Sequence, residues 1–451
     1  MKFSARHGVQ MDSIVEFAPS FGWLGLMLLP LAFQYRDLHE TGRALQLALV
    51  SGIAALLFLA DLLCFDKATK RPPGMDQSPA RPWLVLTGLG FLLPVATHLF
   101  LMPKIPLVAL LFDKDATENA LTLLRLNSTK LLAVPPIANY MFNWAMVVFA
   151  PVHIVVALFT GRWRQALLVL VLASLYAAAT LARLPLVLLL ATCVVAACVM
   201  PGPARRGLCM GLVCLVLLGF GFIGILFASG TLVHLKSASG HAQSPAITQM
   251  MPDDPRRALT YGDNFRFEPD PAELPRSKVQ TMLEYVVYRA WLTPSDVSNR
   301  WYQYFIYVKK EPLGLRNFFP APRDAATEAP SRAVGLWAYR ARFPHKYWDT
   351  ISAYASFDAD AFAHGGVLGV AVAAILLSLA RVGAAYLLTA HPVGLASYGV
   401  LLCVLAILPS SASLQAIFGA NGLFIVLIVL LGIRLLERPG KGKAAVAGGS
   451  L

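Results

Sequence analysis

The chain has 451 residues, of which 57% are hydrophobic and only 14% charged, with a mean hydropathy of +0.61. Soluble domains carry nearer a quarter charged residues, so this composition excludes an ordinary soluble enzyme, a disordered scaffold and a secreted disulfide module. The net charge of +13 would suggest nucleic acid in a soluble chain, but here the basic residues sort by membrane side and no nucleic-acid partner is expected.

Apolar runs at 14–34, 44–64, 82–103, 132–160, 165–181, 184–200, 207–230, 366–388, 392–409 and 417–434 are each near the length that crosses a bilayer as a helix. They predict an all-α polytopic membrane protein of about ten transmembrane helices, or about twelve if the longer runs divide. An N-terminal bundle then occupies 1–230, a large and mainly helical loop 231–365, further spans 366–437, and a tail 438–451. With the N-terminus cytoplasmic, the short inner connections hold Lys67, Lys70, Arg71 and Arg81, then Arg162 and Arg164, then Arg205 and Arg206, and lastly Arg434, Arg438, Lys441 and Lys443. That distribution satisfies the positive-inside rule and puts the large loop outside.

The first span follows Lys2 and Arg6 but contains Glu16 and Pro19 and lacks a small-residue cleavage site, so it is expected to be retained. Arg381, inside the eighth apolar run, is expected to snorkel to the surface or to mark a break between shorter helices. All six cysteines lie in or beside apolar runs without metal-ligand spacing, which disfavours zinc and structural disulfides. No HExxH, P-loop, GxSxG or EF-hand pattern is present, and neither metal nor cofactor is expected.

Segment 104–131 reads as an outer surface piece, with Arg125, Asn127 and Lys130 forming a polar cluster before the fourth span. Arg183 sits in a tight outer junction between two spans, where it is either an interfacial anchor or a fixed counter-charge for a lipid-linked phosphate. The planar guanidinium suits the second role because it makes paired hydrogen bonds to phosphate oxygens and stays ionised.

In the large loop, 277–292 reads as one helix. Thr293, Pro294 and Asp296 start a second that should run to about Lys309. Arg289, Arg300, Trp301, Tyr302, Tyr304 and Tyr307 come from this pair, which fits either a site for anionic and sugar surfaces or an amphipathic pair lying on headgroups. Closer to the eighth span stand His345, Lys346, Asp349, Asp358, Asp360 and His364. Asp358 and Asp360 should diverge on a helix, whereas His364 shares a face with Asp360. Taken singly each fits a cap or a solvated residue; together they offer Asp358, Asp360, His345 and His364 as proton acceptors, with nothing to select among them.

Four segments, Arg125-Leu-Asn-Ser-Thr-Lys130, Thr180-Leu-Ala-Arg183, Tyr288-Arg289 through Phe305, and Ser356 through Gly369, resemble in order and sidedness the landmarks of bacterial Wzy-type oligosaccharide repeat-unit polymerases. The loop Pro409-Ser-Ser-Ala-Ser413 departs from that pattern in lacking an arginine that some relatives carry. The resemblance implies a metal-independent glycosyltransferase of the bacterial inner membrane with its active site facing the periplasm. It would transfer a glycan from undecaprenyl diphosphate onto a carrier-linked repeat unit. Arg125, Asn127, Lys130, Arg183, Arg289, Arg300 and Tyr302 would bind substrate. The implied partners are the lipid-linked oligosaccharides, the bilayer, and a chain-length regulator and flippase of the same pathway. An O-antigen ligase of the same superfamily, or a lipid-linked glycan transporter, are the alternatives; against transport stand the missing internal repeat and the lack of any charge pair foreseen deep in several spans.

Overall fold

The computed structural model describes residues 15–34, 41–69, 81–102, 104–108, 136–180, 183–199, scattered positions within 207–214, then 293–314, 330–339 and 353–436. Every regular element among them is helical. The first helix, α1, is assembled from Ala18–Trp23, a widened π turn Leu24–Leu28, and Leu29–Gln34. It is followed by α2 (Thr41–Thr69) and α3 (Arg81–Leu101), and by α4, made of Pro136–Trp144, a π turn Ala145–Phe149 and Ala150–Phe159. Next come α5 (Trp163–Ala179) and α6 (Arg183–Val199). The remaining helices are α7 (Thr293–Gln303, prolonged by a π turn Tyr304–Lys309), α8 (Pro330–Tyr339), α9 (Phe357–Leu387), α10 (Pro392–Ile407) and α11 (Leu423–Leu436).

Five helices are long and apolar enough to cross a membrane, and four shorter apolar ones accompany them among the described residues. The protein is an α-helical membrane protein. Its exposed surface carries Leu59, Leu63, Val85, Leu93, Leu168 and Leu379, side chains that suit lipid and not water. Most of the seventh apolar run and the outer segment 109–131 lie outside the described residues.

α10 is buried along nearly its whole length and forms the centre of the bundle, with α6, α4, α1 and α11 around it. Small residues permit this closeness, as lipid removes the hydrophobic drive between spans and leaves packing to hold them. A methyl group added at Gly399 would run into the Ala196 backbone, and one at Gly22 into the Ala406 carbonyl. Polar side chains in the spans find each other: His98 Nδ1 lies 2.6 Å from the Tyr176 hydroxyl, and His153 Nδ1 lies 3.1 Å from the Thr87 hydroxyl.

The direction of each helix follows from its contacts. Ser20 meets Asp61 while Trp23 Nε1 donates to the Val50 carbonyl, so α1 and α2 run antiparallel. Glu16 meets Arg381 while Trp23 packs on Phe357 at 5.0 Å, so α1 and α9 are also antiparallel. α2 and α9 therefore run side by side in the same sense.

α9 is not one straight rod. At Gly366, φ is 59° and ψ −147°, a conformation that is essentially glycine's alone, and the chain bends there. The break separates a short helix bearing Asp358, Asp360 and His364 from the long apolar remainder. The Leu313 N–H donates to the Ala363 carbonyl at 2.8 Å, satisfying an acceptor in the last turn before the bend.

Candidate functional site

The inserted helix α7 carries the site's first half. Its Thr-Pro-Ser-Asp start supplies a proline at a first-turn position where a missing N–H costs nothing, and an acid where the helix dipole favours one. One face of this helix is packed into the protein. Ser295, Ser298, Trp301, Tyr302 and Phe305 are buried, and α7 packs on α2, α9 and α1. Trp301 Nε1 donates to the Ala353 carbonyl at 3.0 Å, and Trp337 of α8 meets the Tyr304 ring edge-on at 5.7 Å.

The second half is the start of α9. Ser356 is its extended N-cap residue, with Asp358 and Asp360 in the first turn, where unpaired N–H groups and the dipole favour carboxylates. The two acids diverge. Asp358 is wholly buried and its Oδ2 accepts from the Tyr302 hydroxyl at 3.1 Å. Asp360 is only partly buried, and its Oδ1 stands 3.7 Å from His364 Nε2 one turn on.

α2 closes the cluster. Gln46 Nε2 donates to Ser298 Oγ at 3.0 Å, and Ser356 Oγ donates to the same oxygen at 2.9 Å, so three helices meet through three polar side chains. Arg43, one turn before Gln46, is buried too. Arg300 Nη1 donates to Gln303 Oε1 at 3.4 Å, and its Nε lies 3.8 Å from Asp296 Oδ1. Among the described residues, Asp358 Oδ1, Gln46 Oε1 and Asn299 Oδ1 are buried and accept no hydrogen bond. Burial and the Asp358 carboxylate hold the Tyr302 phenol well above the ordinary tyrosine range, so it remains a donor.

Of the expected site residues, Tyr302, Arg300, Asp358, Asp360 and His364 gather on α7 and the start of α9. Arg183 opens α6, with its side chain outside the described set. Arg125, Asn127, Lys130, Arg289 and His345 also lie outside the described residues. Gln46, Ser298, Asn299 and Ser356 are additions from the structure, since a lone amide or hydroxyl in such segments carries no motif.

A second polar cluster sits toward the far ends of α2 and α9. Arg381 neither snorkels nor interrupts its helix: it is fully buried inside α9. Its Nε donates to Asp61 Oδ1 at 2.9 Å, Nη1 to the Tyr398 hydroxyl at 2.5 Å, and Nη2 to Glu16 Oε2 at 2.6 Å and the Glu16 carbonyl at 3.0 Å. Tyr398 in turn donates to Glu16 Oε2 at 2.6 Å, while the Ser20 N–H and hydroxyl both donate to Asp61 Oδ2. The expectation that no charge pair lies deep in several spans is thus overturned; lone ionisable residues in apolar runs give no sign of their partner until the helices are packed.

No family model, curated protein or solved structure matches the chain.

Proposed function

We propose that this chain is a membrane glycosyltransferase that polymerises undecaprenyl diphosphate-linked oligosaccharide repeat units, as its likeness to Wzy-type polymerases implies. It crosses the bacterial inner membrane about ten times, with both termini cytoplasmic and 231–365 in the periplasm. The observation that carries the reading is the buried Asp358–Tyr302 pair, which ties the inserted segment to the start of a spanning helix. A large insert serving only as a surface appendage has no need to bring a phenol onto a buried carboxylate.

The donor is already activated. An acceptor hydroxyl attacks the anomeric carbon, the bond from that carbon to the diphosphate oxygen breaks, and undecaprenyl diphosphate leaves with the electron pair. Arginines stabilise its growing charge, with Arg183, Arg289 and Arg300 as the candidates. A carboxylate or imidazole among Asp358, Asp360, His345 and His364 removes the hydroxyl proton. The test is purified protein in nanodiscs with defined lipid-linked repeat units and EDTA. A ladder of products supports the reading, whereas transfer to lipid A alone identifies a ligase.

The Glu16–Arg381–Asp61 cluster favours a second reading, a lipid-linked glycan transporter, because charges buried across several spans accompany coupled transport. Its complete hydrogen bonding argues for a fixed brace instead. Movement of substrate across the bilayer without bond formation would decide for transport.

A further inference from the structure

We propose that Asp358, Gln46 and Asn299 form the seat of the acceptor sugar, with Asp358 Oδ1 as the group that takes the attacking hydroxyl's proton. The inference rests on the polymerase reading and names which of its two substrates this cluster holds.

Three buried oxygens of the seat share one chemistry, with the buried cations Arg43 and Arg300 on the same helices. Asp358 Oδ1, Gln46 Oε1 and Asn299 Oδ1 are all acceptors, all buried, and all without a hydrogen bond. Their residues come from α9, α2 and α7, which converge where Ser298 Oγ receives Gln46 Nε2 and Ser356 Oγ at 3.0 and 2.9 Å. Buried acceptors without donors are costly, and they recur where a ligand completes them. A phosphate offers no O–H donor array for these three oxygens, whatever the buried Arg43 and Arg300 nearby do for its charge. A sugar ring offers several O–H donors, the partners that amide oxygens and a carboxylate accept.

Geometry also separates Asp358 from its neighbour. Asp360 is engaged one turn along with His364, at 3.7 Å. In Asp358, Tyr302 occupies Oδ2 and leaves Oδ1 for the hydroxyl. As the proton passes to Oδ1, the sugar oxygen bonds to the donor's anomeric carbon, and the diphosphate departs with the electrons of the broken bond. Asp358 is wholly covered while α7 is docked, so admission of a sugar requires α7 to move off α9.

The experiment uses full-length protein in nanodiscs and a lipid-free repeat-unit glycan as the acceptor probe, with binding followed by saturation-transfer NMR and turnover by product ladder. Gln46→Ala and Asn299→Ala should each weaken glycan binding and raise the acceptor KM by about 5- to 10-fold, leaving the donor KM within about twofold. Asp358→Asn, nearly isosteric, should still bind glycan while kcat falls at least about 100-fold. If Gln46→Ala and Asn299→Ala leave glycan binding unchanged, or raise the donor KM instead, the seat is wrong while a wild-type ladder keeps the polymerase reading intact. If wild type binds glycan and Gln46→Ala and Asn299→Ala lose it, but no ladder ever forms, the seat stands and the polymerase reading falls. The same assay repeated with and without Na⁺ or K⁺ adds one outcome: wild-type turnover that depends on the ion, a dependence lost in Gln46→Ala and Asn299→Ala with glycan binding unchanged, would show that these oxygens hold a cation and overturn the proposal.

Discussion

The Arg381 and Asp358 clusters are both buried, both polar and both built between α2 and α9, roughly 22 Å apart along α2 at about 1.5 Å per residue, yet they are completed differently. Around Arg381, each of three guanidinium nitrogens has an acceptor, and both carboxylates receive donors from two sides. Around Asp358, one oxygen on each of three helices lacks a hydrogen bond, although the carboxylate as a whole is held by Tyr302, Ser356 and the Ala359 N–H. Full satisfaction in a low-dielectric interior makes a rigid joint, because any rearrangement strands a charge. Incomplete satisfaction marks a place where something else completes the set. Burial and charge alone would rank the Arg381 cluster first as a site; hydrogen-bond accounting reverses that order.

The largest effect should come from breaking the complete cluster. Arg381→Ala leaves Glu16 and Asp61 buried without their cation, and loss of one member of a buried pair costs about 3–5 kcal/mol. We expect little folded protein by size exclusion and thermal unfolding in detergent. The triple variant Glu16→Gln, Asp61→Asn, Arg381→Met should recover much of that yield along with ladder formation. A well-folded Arg381→Ala protein that fails only to move substrate would make the joint a transport element.

Next in size is a lock on the incomplete cluster. Ser298→Cys with Ser356→Cys, in a background with the exposed Cys214 replaced by Ser, places two thiols where hydroxyl oxygens now stand 2.9 Å apart. Oxidation should pin α7 to α9 and stop turnover, and reductant should restore it. Equal activity in both states would mean that α7 need not move.

The Tyr302→Phe change should be milder, lowering turnover about fivefold, in keeping with one lost hydrogen bond of about 1 kcal/mol. It also has a pH signature. The folded phenol titrates above its ordinary value of 10.0, so its contribution to stability is complete below about pH 10 and declines as pH rises further toward the folded value. Alkaline unfolding curves of wild type and Tyr302→Phe should therefore converge above about pH 10; parallel curves would place the phenol outside the buried contact. The smallest effect is expected for Asp360→Ala, within about twofold in turnover, since a partly exposed pair one turn apart contributes only about 0.3–0.5 kcal/mol.

These two regions also differ in how far the sequence discloses them. The apolar runs predict a helical membrane protein, five of whose described helices are long and apolar enough to span, and the Thr-Pro-Ser-Asp start of α7 is a local signal that needs no partner. The divergence of Asp358 from Asp360 and the pairing of Asp360 with His364 follow from helical periodicity. Periodicity is silent about Glu16 and Arg381, which are 365 residues apart, each alone in an apolar stretch. It is equally silent about Gln46 and Asn299, whose bare oxygens arise only from how α2, α7 and α9 pack.

The Arg381 joint imposes a schedule on the growing chain. Asp61 is made 320 residues before its cation, an interval of roughly 16–64 s at about 5–20 residues per second of synthesis. Through that interval a carboxyl group meant for the protein interior must be held without its counter-ion. Ser20 is already present: its N–H and hydroxyl both donate to Asp61, and they require only the first helical hairpin to have formed. In chain order, then, the serine is the partner of Asp61 that synthesis supplies first, and Arg381 the one it supplies last.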